Sequence, residues 1–187
     1  MIKRMFDIVM GLVLLGVLAL PMLVIALIVK LTSRGPVLYW SDRVGINNTI
    51  FRMPKYRTMR VDTPQLATHL MKDPAAYLTP PGPVLRKLSL DELPQVLSVI
   101  KGDMSFVGPR PALFNQDDLV ALRTAQGVHV LVPGITGWAQ INGRDELPIP
   151  VKVDFDAYYL KHQSFWLDIK ILFLTVFKVL KKEGVSH

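Results

Sequence analysis

From Ile8 to Val29 the chain runs for 22 consecutive residues without a charge. As a straight helix, rising about 1.5 Å per residue, this run reaches about 33 Å, enough to cross a hydrocarbon core of about 30 Å. It is too long for the apolar core of a removable signal peptide, and no small-residue cleavage pattern follows it. A membrane helix is therefore expected, and two features bear on how it lies. Pro21 sits inside the run, where it removes a backbone donor and clashes with the carbonyl one turn earlier, so a bend is expected there. Both flanks are basic, with Lys3 and Arg4 before the run and Lys30 and Arg34 after it. A spanning helix concentrates Lys and Arg on its cytoplasmic side. Basic flanks on both sides fit a re-entrant helix whose ends share one face; a simple span stays open.

The remaining composition narrows the function classes. The length of 187 residues suits one compact domain beside that helix, and 50% hydrophobic residues with 20% charged exclude a disordered chain. There is no cysteine, so disulfides, thiolate metal sites and thiol catalysis are all excluded. A net charge of +7, from 22 Lys+Arg against 15 Asp+Glu, calls for an anionic partner such as lipid headgroups or nucleotide phosphates. Nucleic acid is disfavoured, because the basic residues are scattered and no recognition motif is present. His69, His129, His162 and His187 have no paired metal-ligand spacing, and no phosphate-binding or dinucleotide fingerprint occurs.

Local signals give a coarse order of elements. Val37–Trp40 and Ile50–Met53 are β-prone runs flanking the turn-rich stretch 41–48, which predicts a hairpin. Residues 62–72 read as a short polar helix, 79–83 as a proline-stiffened loop, 91–101 as a helix closed by Gly102, and 113–124 as an amphipathic helix. The glycine-punctuated stretch 133–143 reads as extended or looped. From Phe165 to Leu180 apolar residues recur at helical spacing, and Trp166 with several Phe and Lys residues suits a helix lying in a membrane interface. In isolation a core helix fits that segment equally well.

Chemistry-bearing residues concentrate between Arg86 and Pro111. Ser89 and Glu92 have the spacing of a capping box, but with Ser89 as cap Pro94 would fall where its missing N–H costs a bond. With Asp91 as cap, Pro94 lies in the first turn, so Asp91 and Glu92 are expected at a helix start. Such a pair either caps the helix or binds a divalent cation, with one carboxylate free to attack phosphorus. In Gly108-Pro109-Arg110-Pro111 the prolines hold the residues before them extended, so Arg110 leaves a stiff backbone as a fork for phosphate oxygens. A solvated surface turn is the alternative. Lys55, Arg57, Arg86, Lys87 and Arg144 are further basic candidates, each by default a surface charge. Asp154 and Asp156 are by default N-terminal charges of a helix.

Taken together, Asp42-Arg43-Val44-Gly45, Lys55-Tyr56-Arg57-Thr58-Met59, Ser89-Leu90-Asp91-Glu92-Leu93-Pro94-Gln95, the run from Lys101 to Pro111, Pro133-Gly134-Ile135-Thr136-Gly137 and Asn142-Gly143-Arg144 resemble the bacterial sugar transferase family, more narrowly its small monotopic phosphoglycosyl transferases. The resemblance extends from about Lys3 to Ser186. It implies an α+β, mostly helical monotopic membrane protein, with a re-entrant helix bent at Pro21 (residues 1–34) and a catalytic domain on the cytoplasmic face of the bacterial inner membrane (residues 35–187). That domain would carry a small β-hairpin and interfacial amphipathic helices. The implied reaction moves a sugar 1-phosphate from a UDP-sugar to polyprenyl phosphate, usually undecaprenyl phosphate, with Mg²⁺. By this likeness Asp91 is the nucleophile that expels UMP and forms a covalent phosphosugar intermediate. Asp91 and Glu92 form the catalytic and metal-binding dyad, and Arg110, Arg86, Lys55, Arg144 and Asp156 serve the substrate phosphates. Leu20 stands where the family commonly has Ser, and Ser41 where Gln is frequent. A non-catalytic membrane scaffold of an envelope-polysaccharide assembly and a lipid-diphosphate hydrolase are the competing readings. The sugar, the pathway and the oligomeric state have no legible signal.

Overall fold

A computed structural model describes residues 2–63, 73, 75–143 and 147–180; the expected helix over 62–72 falls largely outside them. The long apolar run forms α1 (Ile2–Thr32), a single helical element that continues through Pro21. Its buried residues Asp7, Gly11, Ile25 and Val29 lie on one stripe, with Leu14, Leu15 and Met22 packed beside them. Between Val9 and Leu31 most of the opposite surface is exposed and apolar, including Val9, Leu12, Val13, Val17, Leu20, Leu23, Val24, Leu27 and Leu31. A soluble surface helix shows the opposite pattern, polar outside.

The hairpin is present and longer than the β-prone runs predict. β1 (Leu38–Val44) pairs antiparallel with β2 (Ile50–Tyr56), placing Tyr39 opposite Lys55 and Asp42 opposite Arg52. Asn47 and Asn48 close the turn with φ of 52° and 58°, a region asparagine tolerates better than most residues. Pro54 is accommodated because a two-stranded sheet is all edge. α2 (Gly82–Lys87) begins inside the expected loop, with Pro83 in the first turn where no donor is needed. α3 (Gln95–Lys101) ends on Gly102 at φ 106°. Arg4 of α1 donates to the carbonyls of Val99 and Ile100, both at 2.6 Å, complementing the negative end of α3.

β3 (Ser105–Val107) and β4 (Gly134–Thr136) form a short parallel pair, so 133–143 holds a strand and the one-turn helix α5 (Trp138–Ile141) rather than loop alone. The remaining helices are α4 (Asp117–Ala125), α6 (Ile149–His162) and α7 (Phe165–Leu180), the last spanning the residues its spacing predicts. The main core gathers Val96, Val99, Phe106, Val107, Tyr159 and Ile171 from α3, β3, α6 and α7, with Met104 from the turn between α3 and β3. α1 is fastened to it by a buried carboxylate: Asp7 Oδ1 accepts from Ser105 Oγ and the Phe106 N–H, both at 3.1 Å. Past Pro21 the Tyr56 hydroxyl donates to the Met22 carbonyl at 2.8 Å, and toward the C-terminal end Ile25 and Val29 are buried in a cluster with Tyr56 and Leu85. The membrane-type helix is thus held by the domain near both ends.

Candidate active site

Asp91 and Glu92 occupy a short 3-10 turn, Leu90–Glu92, that stands apart from α3. This corrects the expectation of one helix over 91–101. The α-helix starts at Gln95 with Pro94 as its cap, and Ser89, left-handed at φ 53°, makes no capping bond with its side chain. The proline has no N–H to continue a ladder, so the chain closes single turns instead, Glu92 N–H to Ser89 O at 3.3 Å and Leu93 N–H to Leu90 O at 3.4 Å. The two carboxylates are thereby presented from a tight turn.

They differ sharply in environment. Glu92 Oε1 accepts from Lys55 Nζ at 2.7 Å and lies 3.4 Å from Arg110 Nη2. Burial alone would raise its carboxyl, but Lys55, then Arg110, the Lys55 hydrogen bond and Arg43 outweigh burial and hold it at about 2. Asp91 is buried and makes no ion pair among the described residues. Burial pushes its carboxyl above the usual range and Glu92 adds to this, while Lys55 and Arg86 pull the other way. One carboxylate is fixed as an anion by direct pairs; its neighbour is desolvated, with cations nearby but not on it.

The cations arrive from separate elements. Lys55 comes from β2, Arg86 from the last turn of α2 and Arg110 from the loop after β3. Arg86 Nε donates to Thr58 Oγ1 at 3.0 Å, which aims the guanidinium; burial disfavours its charge and Asp91 opposes that effect. Arg43 of β1 also acts on Glu92, and its Nη1 donates to the Pro111 carbonyl at 3.2 Å. In the sequence Arg43 stands within a motif that marks no role for it, and the same holds for Thr58. Four cations around two carboxylates suit a polyanion such as a diphosphate.

Two expected residues stand otherwise. Arg144 lies outside the described residues. Asp156, expected at the substrate phosphates by resemblance and as N-terminal helix charge by default, sits mid-helix in α6 and is 1% exposed. Its Oδ2 accepts from Arg123 Nη2 at 2.6 Å and Nε at 2.9 Å, so the carboxylate is taken up by an internal partner. Among the described residues no three His, Asp or Glu side chains gather as a metal site. Mg²⁺ commonly takes one or two protein carboxylates and completes its shell with water and substrate phosphates, and the adjacent Asp91 and Glu92 fit that partial donor set.

Comparison with known proteins points the same way. Residues 1–182 match the family described as bacterial sugar transferase. The chain is 42% identical over 186 residues to an uncharacterized sugar transferase, EpsL, of Bacillus subtilis (strain 168), covering 100% of this chain and 91% of that protein. It is 35% identical over 198 residues to the exopolysaccharide production protein ExoY of Sinorhizobium fredii (strain NBRC 101917 / NGR234), covering 97% and 87%. With the UDP-glucose:undecaprenyl-phosphate glucose-1-phosphate transferase of Escherichia coli (strain K12) it shares 41% over 187 residues, 95% of this chain and 40% of that one. The chain therefore spans less than half the length of some relatives that it matches.

Proposed function

The chain belongs to the bacterial sugar transferase family, and from that premise we propose that it moves a sugar 1-phosphate from a UDP-sugar to a polyprenyl phosphate at the membrane surface, releasing UMP through a covalent aspartyl intermediate. The observation that carries this reading is the division between the paired Glu92 and the buried Asp91 within one turn. A carboxylate already engaged by Lys55 and Arg110 is a poor nucleophile. The desolvated neighbour keeps its lone pairs for phosphorus.

The steps follow from charge and connectivity. Arg86, Lys55 and Arg110 bind the donor diphosphate and offset its repulsion from the two carboxylates. An Asp91 oxygen attacks the phosphorus that bears the sugar. The bond from that phosphorus to the bridging oxygen breaks, and UMP leaves with the electron pair. The same cations then hold the acceptor's phosphate, one of its oxygens attacks the phosphosugar, and the Asp91 carboxylate is released unchanged. When bound by Asp91 and Glu92, Mg²⁺ would supply charge neutralisation on the diphosphate.

The membrane helix supports the location. The acceptor's phosphate is tied to a long apolar chain and stays near headgroup depth, where the reacting carboxylate must also be. α1 exposes an apolar surface but contacts one domain from Lys3 to Val29. A helix held near both ends by one domain suits a re-entrant or in-plane arrangement better than a perpendicular span, and the basic residues at both of its ends favour the cytoplasmic face.

The test is a panel of UDP-sugars incubated with purified full chain, undecaprenyl phosphate and Mg²⁺. Release of UMP with one donor, dependent on the lipid for turnover, is expected. Release of inorganic phosphate without a UDP-sugar would make the protein a lipid-diphosphate hydrolase, and no release at all would make it a scaffold.

A further inference from the structure

Arg110 leaves a loop whose two prolines, Pro109 and Pro111, have no N–H to donate. Much of what fixes that loop therefore acts on carbonyls: Pro109 O accepts from the Gly134 N–H at 2.8 Å, and the carbonyls of Val107 at the end of β3, of Arg110 and of Pro111 each meet a cation from elsewhere in the chain. The Val107 carbonyl accepts from Lys3 Nζ at 2.9 Å. The Arg110 carbonyl accepts from Arg123 Nη1 at 2.9 Å, and the Pro111 carbonyl from Arg43 Nη1 at 3.2 Å.

Two of these cations are themselves locked by buried carboxylates. Lys3 Nζ lies 2.6 Å from Asp168 Oδ2, whose Oδ1 accepts from the Tyr159 hydroxyl at 2.5 Å. Arg123 is forked onto Asp156 Oδ2. Tyr159, Asp156, Asp168 and Arg123 are all buried. Buried ion pairs are weak contributors to net stability, because desolvation cancels much of the attraction. What they do supply is a fixed donor position. Here one fixed donor ends on Val107, the last residue of β3 and three before Arg110, and the other on the carbonyl of Arg110 itself.

We propose that the Lys3–Asp168–Tyr159 triad and the Arg123–Asp156 pair are positioning residues for Arg110, holding the Val107 carbonyl where its loop leaves β3 and the carbonyl of Arg110 itself, so that its guanidinium meets the donor diphosphate. Lys3 lies in the first turn of α1, so the position of Arg110 also depends on how the apolar helix is seated against the domain. The proposal rests on the transferase reading above. It gives Asp156 and Lys3, which touch neither carboxylate of the site, a defined part in turnover.

The experiment measures kcat and donor KM from UMP release by the full chain in nanodiscs. Lys3→Met, Lys3→Arg and Tyr159→Phe are each made in the unmodified chain and in an Arg110→Gln background, the latter read under single-turnover conditions. Misplacing a charge-binding group by about 1 Å costs about 10²-fold. Lys3→Met and Tyr159→Phe should therefore lower kcat/KM by about 10- to 100-fold in the unmodified chain, and Lys3→Arg should recover most of the loss. Once Arg110 is gone there is no guanidinium to misplace, and the same substitutions should cost less than about threefold. Equal losses in both backgrounds, or no loss in the first, would overturn the proposal. Tyr159→Phe removes a single oxygen and carries the test should Lys3→Met not fold. An unmodified chain that releases no UMP from any donor sinks the transferase reading itself, whereas release with additive losses sinks only the positioning claim.

Discussion

Replacing Glu92 by Gln keeps the side chain's shape and removes its charge, and the structure sets the size of the result. The carboxyl is held at about 2 against an ordinary 4.5, by Lys55 at 2.7 Å and Arg110 at 3.4 Å acting against its burial. That difference corresponds to about 3 kcal/mol of preference for the ionised form in the folded state. Gln still offers Lys55 an acceptor worth about 1 kcal/mol, leaving a net loss of about 2 kcal/mol. For a chain of this length the melting temperature should fall by about 4 to 8 °C at pH 7. The sign with pH is fixed by the direction of the shift. The folded value lies below the unfolded one, so the stabilisation is fully present above about pH 4.5 and is lost as pH falls through 2. Thermal unfolding in detergent, followed by near-ultraviolet circular dichroism from pH 7 to pH 2.5, should show the gap between unmodified chain and variant closing only below pH 4.5. A gap constant across that range, or a variant more stable at pH 7, would refute the pairing.

Arg110→Lys keeps the charge but loses the planar fork, and kcat/KM should drop about 100-fold with membrane association intact; near-normal kinetics would make Arg110 a bystander. Gly134→Ala should be destabilising by about 3 kcal/mol in chemical denaturation, because its Cβ would run into Gly108 N and the Thr136 carbonyl, both backbone atoms that cannot swing aside. Gly16 sits inside α1 with nothing within 4 Å of a new Cβ, so Gly16→Ala should instead stabilise by about 0.5–1 kcal/mol. Tags at either terminus should be accessible to protease only from the cytoplasmic side, and a periplasmic N-terminus would restore the simple span.

Elements with a local period are legible in the amino-acid sequence. α7 occupies the residues its apolar spacing marks, and the hairpin sits where two β-prone runs flank paired asparagines. A helix over 91–101 follows from placing Pro94 in a first turn, whereas the chain closes a separate 3-10 turn ahead of that proline. In the site, Glu92, Lys55 and Arg110 meet with Asp91 and Arg86 beside them; each stands in a motif of the sequence, but their convergence has no signal there. The groups behind them have no local signature. Lys3 reads as a flanking charge of an apolar run, yet its partner Asp168 is 165 residues away. Asp156 carries the look of a helix-start acid, and only the fold brings Arg123 onto it. Arg43 is hidden in a strand, where its reach to Pro111 depends on the hairpin's placement.

Esterification of Asp91 to the phosphosugar is tested most directly by incubating the chain with its donor and no lipid acceptor, quenching, and weighing the tryptic peptide that spans residues 88–101. One added sugar phosphate is expected on that peptide, chased away by undecaprenyl phosphate and missing in Asp91→Asn. An unmodified peptide from a preparation that turns over the same donor, or an equal adduct in Asp91→Asn, would contradict it.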